Sequence, residues 1–495
     1  MPYFLASDLG SSSCKTIVMN EQCQVLGTAQ IEYPNLFPKP GWVEQNPVDW
    51  YAAFCRTTRA ALEAAGIDGR KIEGVGIIGV THNAVLLDHR DQVLRPSILL
   101  FDTRSTKEAN EIDRRWGQAL HHRTLNRTGA MWTWPQLAWV ARHEPAVFKR
   151  IRKVLFQKDY VRHRLAPSLV TDWIDAHGSS LFDPRIGAWI DEFTADLGLP
   201  QDCLPQVVAP TEICGHVNAS GSRDTGIPEG VPVITGTTDT AAEVLGSGAV
   251  NPGSGIVKLA SVGRIAVVTT EPHRDRSIIN YRHVLPGLWY PGTACKHAAS
   301  AYRWLRDLLW PPDLLSDPSL FDRMNLEAET IPAGSEGLLF HPHLSGEWAP
   351  YFNDGLRGSF TGISVAHGRG HFTRALLEGV AMALRDALNH MEVTGLHADE
   401  IRLIGQGARG RLWREIIASA LHRRVLLPAE RDAVFGAGLV TAMGLGFLSM
   451  RPEDVAARVG VEAVVEPDRG LEECYDRLFE RYRSIDEVLA NESNR

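Results

Sequence analysis

Three short stretches of this 495-residue chain gather side chains that can bind phosphate, hold a metal or move a proton. In the first, Asp8, Gly10, Ser11, Ser12, Ser13 and Lys15 come after an apolar start and put a carboxylate, a glycine, three hydroxyls and an ammonium in one turn. Amides and hydroxyls of such a turn can hold phosphate oxygens, and a carboxylate at a strand end can hold Mg²⁺ through water. The spacing is not GxxxxGK[ST], and the residues after Lys15 are strand-like, so no helix N-terminus meets a phosphate there. An ordinary polar hairpin turn would carry the same residues. In the second stretch, Asp239 comes after VPVITG and Thr237-Thr238 at the mouth of a short helix. A carboxylate at that place faces the ligand crevice of an open α/β sheet and can accept a hydroxyl proton, or it can simply cap the helix. The third stretch, Gly405-Gln406-Gly407-Ala408-Arg409-Gly410, is a literal GxGxxG between strand-like IRLI and helix-like RLWREIIASAL, with Glu430 downstream. That spacing fits a dinucleotide-binding turn and hence an NAD-dependent oxidoreductase, although fewer than 90 residues come after it. A glycine turn that lets a nucleoside approach the backbone explains it equally well. His82, after IIGVT, sits at another strand end, and Asp102 with Arg104 in ILLFDTRS forms either a local ion pair or part of a sugar-binding rim.

The elements that must position these residues alternate between strand and helix, which indicates an α/β architecture. Residues 4–33 read as a hairpin meander, strand-turn-strand-turn-strand. Asn46 as N-cap, Pro47 at N1, apolar residues at helical spacing and Gly66 at the end predict a helix over 46–65. IEGVGIIGV is continuously apolar, as in a strand buried on both faces. A second hairpin of the same style over 251–270 echoes the first, so two halves built alike are expected. Ala433–Met450 has 18 uncharged residues, but four glycines make it too weakly apolar for a membrane span, and a helix packed closely on a sheet is predicted instead. The final 30 residues read as an amphipathic helix.

Composition narrows the function classes. With 44% hydrophobic and 22% charged residues the chain is neither disordered nor fibrous, and its length calls for two large domains. Fifty-one basic against 59 acidic residues, a net of −8, disfavours capture of nucleic acid or an anionic membrane and leaves a small-molecule ligand. Seven scattered cysteines without a CxxC pair argue for reduced thiols, and the N-terminus has no secretory signal, so a cytoplasmic location is expected. HExxH, GxSxG and DFG are absent, which disfavours zincins, α/β-hydrolases and protein kinases.

Taken in order, DLGSSSCK, GWVEQNPVDW, GVTHNAVLLD, FDTRS, QKDYVRHRL, TDWIDAHGSS, ITGTTDTAAEVLGSG, HPHLSGEWAPYFND, GSFTGIS and GQGARGRLWREI resemble the FGGY family of carbohydrate kinases from end to end. The resemblance implies two ribonuclease-H-like, actin-like ATPase domains, 1–245 and 246–495, with a catalytic cleft between them. It also implies ATP, Mg²⁺ and phosphorylation of a sugar or polyol hydroxyl. On the same footing Asp239 is the catalytic base, and Asp8 and Asp239 lie near the metal. Gly10, Ser11, Ser12, Ser13 and Lys15 fall on a first phosphate hairpin, Ser261 and Gly263 on a second, and Gly405, Gly407 and Ala408 on the turn under the nucleoside. Thr81, His82, Asp102 and Asp239 fall on the acceptor side. A Met-His pair where this chain has Thr81-His82 is typical of the xylulokinase branch, so D-xylulose is the expected acceptor, with another ketose, gluconate or a polyol as alternatives. Sugar and ATP are the expected partners, without nucleic acid or membrane, and a homodimer is the expected assembly. The chain departs from the family pattern at Thr81, at Asn83, at LASVG for LGTSG, at Gln406 and at SGEWAP for SGERTP. The departures at Ala260 and Trp348 motivate a catalytically silent sugar or nucleotide sensor as a competing class, beside the oxidoreductase.

Overall fold

The computed structural model describes residues 2–348, 351–353 and 355–493. The chain folds as two compact units: one runs to Gly246 and is joined by Tyr281–Leu288 and Asp432–Arg458, and the other comprises Ser247–Asn280, Trp289–Arg431 and the chain from Val459 onward.

In the first unit the opening meander forms as its pattern predicts. Strands β1 (Tyr3–Leu9), β2 (Ser13–Asn20) and β3 (Val25–Glu32) pair antiparallel in sequence order. Helix α1 (Pro47–Ala65) starts where the Asn46 side chain accepts the Val48 N–H and stops at Gly66, whose φ of 64° is left-handed. The apolar run becomes β4 (Ile72–Gly79), which lies parallel to β1. Two buried helices, α2 (Gln157–Leu165) and α3 (Trp173–Gly178), precede β5 (Ile213–His216) and β6 (Pro232–Ile234). Strand β6 runs parallel to β4, β5 closes the edge antiparallel, and helix α4 (Asp239–Gly246) comes next. The sheet order is β5-β6-β4-β1-β2-β3.

The second unit repeats this plan. Strands β7 (Ser254–Leu259), β8 (Gly263–Val267) and β9 (Gly292–Cys295) form an antiparallel meander that leads into helix α5 (Ala299–Leu309). After the long helix α6 (Arg369–Val393), β10 (Glu400–Ile404) joins parallel to β7. Helix α7 (Arg411–Leu421) leads to β11 (Val425–Pro428), parallel to β10. Helix α8 (Ala433–Gly444) intervenes before the antiparallel edge strand β12 (Val461–Val465), and α9 (Glu472–Ser493) ends the described chain. The order β9-β8-β7-β10-β11-β12 has the same directions, strand for strand, as the first sheet, so the hairpin echo in the sequence reflects a repeated sheet. Each unit has its own core, with Leu5, Val18, Trp50, Phe54 and Val75 in the first and Val257, Leu377, Trp413 and Tyr475 in the second.

The chain first changes unit after Gly246, one residue beyond the expected division at 245/246, and unlike that division it returns later, because helix α8 belongs to the first unit. Its glycines are the reason. A Cβ at Gly436 would overlap the carbonyl of Ala242 in α4, one at Gly438 would overlap the Met19 sulfur, and Thr441 fills the space beside Gly76 of β4. Gly446, at φ 79°, comes just after the helix end. Among the described residues no helix is long and apolar enough to cross a membrane.

Replacing Gly436 with Ala adds about 1 kcal/mol of helix propensity but forces two backbones apart, at a cost of about 1–3 kcal/mol or more. Thermal unfolding of Gly436→Ala is therefore expected several degrees below wild type, whereas Gly368→Ala, where the new methyl meets open space, shifts it far less. An unchanged or raised midpoint for Gly436→Ala would contradict this packing.

Candidate active site

The parallel strands of the first unit bring three chemical groups to one edge. Leu9 lies opposite Gly79, the Val80 N–H donates to the Leu9 carbonyl at 3.3 Å, and the Gly79 N–H donates to the Thr237 carbonyl at 3.3 Å. The ends of β1 and β4 and the segment after β6 therefore run side by side, which places Asp8, Thr81-His82 and Asp239 at the carboxyl edge of one sheet. Gly236, at φ 77°, makes the crossing, since a Cβ there would overlap the Ile77 carbonyl. Asp239 opens α4 and is half-buried. Its Oδ1 accepts the Thr240 N–H at 2.6 Å and the Thr240 hydroxyl at 3.3 Å, and its Oδ2 takes no hydrogen bond from a described residue. The hydroxyl of Thr238, at 3.4 Å from the Ala241 N–H, is the helix cap, so the capping role that the sequence allowed for Asp239 falls to its neighbour.

Asp8 lies opposite Lys15 across β1 and β2. In the turn between them the Gly10 N–H donates to the Ser13 carbonyl at 2.9 Å, the Tyr33 phenol donates to the Gly10 carbonyl, and Gln45 Nε2 donates to the Ser11 carbonyl at 2.8 Å. With the carbonyls held inward, Ser11 and Ser12 are exposed, while the Ser13 hydroxyl accepts Gln30 Nε2 at 3.0 Å. The Lys15 ammonium forms an ion pair with Asp432, just before α8.

Next to this edge the acceptor-side residues form a wall of rings. His82 is buried at φ 72°, with Nδ1 2.5 Å from the Gly178 carbonyl and Nε2 3.1 Å from the Tyr281 hydroxyl. Trp132 meets the His82 ring edge-on at 4.7 Å and stacks with Tyr281 at 6.2 Å, and His177 lies 5.5 Å from Tyr281. Burial pushes His177 down to about 4, so that ring is neutral near pH 7. The Thr81 hydroxyl is buried without a hydrogen-bond partner among the described residues, and a Cβ at Gly178 would stand 2.5 Å from it. Asn83 Oδ1 accepts the Leu100 N–H at 3.0 Å and so ties down the adjoining loop. Asp102 is not part of this wall. Its two oxygens accept the Val43 and Arg104 N–H groups at 2.6 and 2.8 Å and the Arg104 guanidinium at 2.9 and 2.7 Å, and Arg104 in turn reaches Glu44 at 2.6 Å and lies 3.9 Å over Trp42. All four acceptor positions are occupied, so the expectation of an acceptor contact at Asp102 is corrected to a loop-holding ion pair. Trp132, His177 and Tyr281 were not singled out from sequence; of these, His177 lies within TDWIDAHGSS, whereas Tyr281 arrives through the returning segment 281–288.

In the second unit the tip between β7 and β8 abuts α5. The Ala299 N–H donates to the Ala260 carbonyl at 2.8 Å, and the Ala298 N–H donates to the Ser261 carbonyl at 3.0 Å. Arg303, also not foreseen, donates to the Ser261 hydroxyl at 2.6 Å. Gly263 opens β8 with room for no more than a tight methyl, 3.2 Å from Ala298 Cβ. The GxGxxG turn lies against this hairpin: a Cβ at Gly405, at φ 88°, would stand 2.7 Å from the Leu259 carbonyl, and one at Gly407 2.8 Å from Leu259 Cβ. Ala408 is buried and Gln406 is exposed, so the glutamine that departs from the family pattern meets solvent. Trp348 is anchored through its N–H to Glu347 at 2.8 Å, while Ala349 and Pro350 of SGEWAP lie outside the described residues. A literal His273-Arg274-Asp275 is structural, since Asp275 Oδ1 accepts the N–H and hydroxyl of Ser277 at 2.8 and 2.5 Å. Within the second unit an exposed serine tip thus lies against a glycine-lined turn, and the first unit has its own exposed serine tip at Ser11 and Ser12. Among the described residues no three His, Cys, Asp or Glu side chains form a metal-holding group; Asp8 and Asp239 are the carboxylates at this sheet edge that could hold Mg²⁺, a cation that one or two carboxylates can bind when water and substrate phosphates complete the shell.

Residues 3–246 match the N-terminal domain of the FGGY family of carbohydrate kinases and residues 265–445 its C-terminal domain. The chain is 30% identical to a xylulose kinase of Lactococcus lactis over 98% of this chain and 96% of that protein. It is 27% identical to a gluconokinase of Bacillus subtilis over 87% of this chain and 85% of that protein. The crystal structure of a xylulose kinase from Rhodospirillum rubrum superposes with a TM-score of 0.90 at 30% identity, covering 100% of both chains.

The loop carrying Glu347 is held by a buried charge. His343 lies between Glu347 Oε2, 3.1 Å from Nδ1, and Asp486 Oδ1, 2.8 Å from Nε2. Burial alone would depress the imidazolium, but the two carboxylates outweigh it and hold His343 up at about 9. The facing groups His341, pushed by burial to about 4, and Asp386, pushed by burial to about 6, have finished titrating before that range. Because the folded value is raised above the ordinary one near 6.5, the stabilisation is complete below about pH 6.5 and is lost as pH rises through about 9. The unfolding midpoint of the wild type is expected to fall across that window and that of His343→Gln to change much less; parallel profiles would refute the buried imidazolium.

Proposed function

The chain belongs to the FGGY family of carbohydrate kinases, and on that footing we propose that it transfers the γ-phosphoryl group of ATP to the terminal hydroxyl of D-xylulose, giving D-xylulose 5-phosphate. The observation that carries this reading is Asp239, half-buried, with one oxygen held by Thr240 and the other available, at the same sheet edge as Asp8 and the His82 wall. Asp239 accepts the proton of the attacking hydroxyl as its oxygen bonds to phosphorus and the bond to the ADP oxygen breaks. Phosphoryl transfer asks mainly for positioning and charge neutralisation. The turns at Gly10–Ser13 and Ala260–Gly263 supply amides and hydroxyls to the phosphates, and the turn at Gly405–Ala408 receives the nucleoside. Asp8 and Asp239 would hold Mg²⁺, which would supply neutralising charge.

Two things favour the ketopentose: relatives are named xylulose kinase, and the acceptor wall carries a neutral His177. Gluconate is the second reading, because one relative is a gluconokinase and the Arg282 guanidinium, 4.5 Å over the Trp173 ring, is a cation beside this wall. The seven unpaired cysteines fit a reducing compartment such as the cytoplasm.

Coupled ADP release measured over a panel of ketoses, aldonates and polyols is expected to be highest with D-xylulose. A preference for gluconate selects the second reading, and ADP release with no acceptor in the panel returns the sensor class. Asp239→Asn is expected to lower kcat by about 100-fold or more, the usual contribution of a positioned general base, with ATP binding retained. Wild-type turnover in that variant would remove Asp239 from the mechanism.

A further inference from the structure

Helix α2 is strongly polar yet buried, and its second residue is a fully enclosed charge. The Lys158 ammonium has no solvent exposure and lies 2.8 Å from Asp159, 2.9 Å from Asp172 and 2.8 Å from Asp175. Burial opposes its charge, but the three carboxylates outweigh that and hold it firmly protonated.

Two arms leave this ammonium toward the two halves of the acceptor chemistry. Along the first, Asp172 uses its other oxygen, Oδ1, to accept the Thr237 hydroxyl at 3.2 Å and the Ile174 N–H at 2.9 Å. Thr237 is two residues before Asp239, and its carbonyl accepts the Gly79 N–H at 3.3 Å. Along the second, Asp175 sits in α3, three residues before Gly178, whose carbonyl lies 2.5 Å from His82 Nδ1. One side chain therefore anchors both the segment that presents the proton-accepting carboxylate and the helix that orients the ring wall.

We propose that Lys158 is a positioning residue that sets Asp239 and the His82 wall at a fixed separation, acting through Thr237 on one side and α3 on the other. The inference rests on the reading of Asp239 as the base. A buried ion cluster adds little stability over apolar residues of the same volume, since desolvation offsets most of the attraction. What this cluster supplies is a common tie point, one ammonium within 2.9 Å of carboxylates from three places in the chain. In phosphoryl transfer placement matters, because a displacement of about 1 Å can lower the rate by about 100-fold.

Thr237→Val tests the first arm, since it keeps shape and charge and removes only the hydroxyl that reaches Asp172. It is expected to lower kcat by about 10-fold, with the KM for ATP and the unfolding midpoint close to wild type and with most of the activity restored in Thr237→Ser. Asp175→Asn tests the second arm and is expected to raise the acceptor KM several-fold while leaving the KM for ATP alone. Lys158→Met, if folded, should show both effects. Wild-type kcat in Thr237→Val together with wild-type acceptor KM in Asp175→Asn would overturn the proposal. So would losses that track a fall in the unfolding midpoint or appear equally in the KM for ATP. If Asp239→Asn stays active, the base reading itself has failed; if it is inactive and neither Thr237→Val nor Asp175→Asn is impaired, only the positioning inference falls.

Discussion

The constraint on which the first unit depends is that a charge buried without solvent must have every partner in place. Lys158 is such a charge, and the effective penalty for desolvating an ion in a protein is several kcal/mol. Its three carboxylates come from α2, from the residue capping α3 and from α3 itself. Arg162, one turn further along α2, adds a contact to Asp159 at 3.1 Å and donates to the Thr235 carbonyl at the end of β6 at 3.0 Å. Gln157, at the start of α2, accepts the N–H of Val80 at the end of β4 at 2.8 Å. A helix that would be a solvated surface element by composition thus becomes the clamp on the carboxyl ends of two central strands, and the chemical groups of the unit stand on those ends.

A second constraint acts where backbones must come closer than side chains permit. Gly236 passes over Ile77, Gly178 faces the Thr81 hydroxyl, Gly405 lies on Leu259 and Gly436 lies on Ala242. Each close approach joins an element bearing a functional group to the sheet or helix that supports it. The two devices are complementary: close contact lets backbones lie against each other, and the ion cluster ties α2 to α3 and to the residue that caps it.

These two devices also explain what the sequence disclosed and what it hid. Hairpins, the capped helix over 47–65 and the apolar strand β4 are written in local periods and end signals, and they form as read. Asp8 and Asp239 were legible because each stands beside a recognisable turn, Asp8 near the end of β1 and Asp239 after β6, and the sheet then brings them to one edge. Partners distant in the chain leave no local mark. The contact of Lys15 with Asp432 spans 417 residues, and that of His82 with Tyr281 spans 199. Both belong to segments that return to the first unit after the chain has entered the second. Asp102 shows the converse, because an acid beside an aromatic-rich loop reads the same whether it faces a sugar or an arginine. Only the four hydrogen bonds decide it.

A chain with a net charge of −8 accommodates a triphosphate by position and not by bulk charge. Lys15, the cation of the first hairpin, is already paired with Asp432, and Lys158 is enclosed by carboxylates. Neither is a loose counter-charge that would hold an anion by long-range attraction. What remains at the hairpin tips is short-range: exposed serines in both units, and Arg303 fixed on the Ser261 hydroxyl in the second. Groups of that kind discriminate by position more than by charge. They suit a site where the anion must be aligned with a hydroxyl rather than merely captured, and they account for the small weight that whole-chain charge has in predicting the ligand.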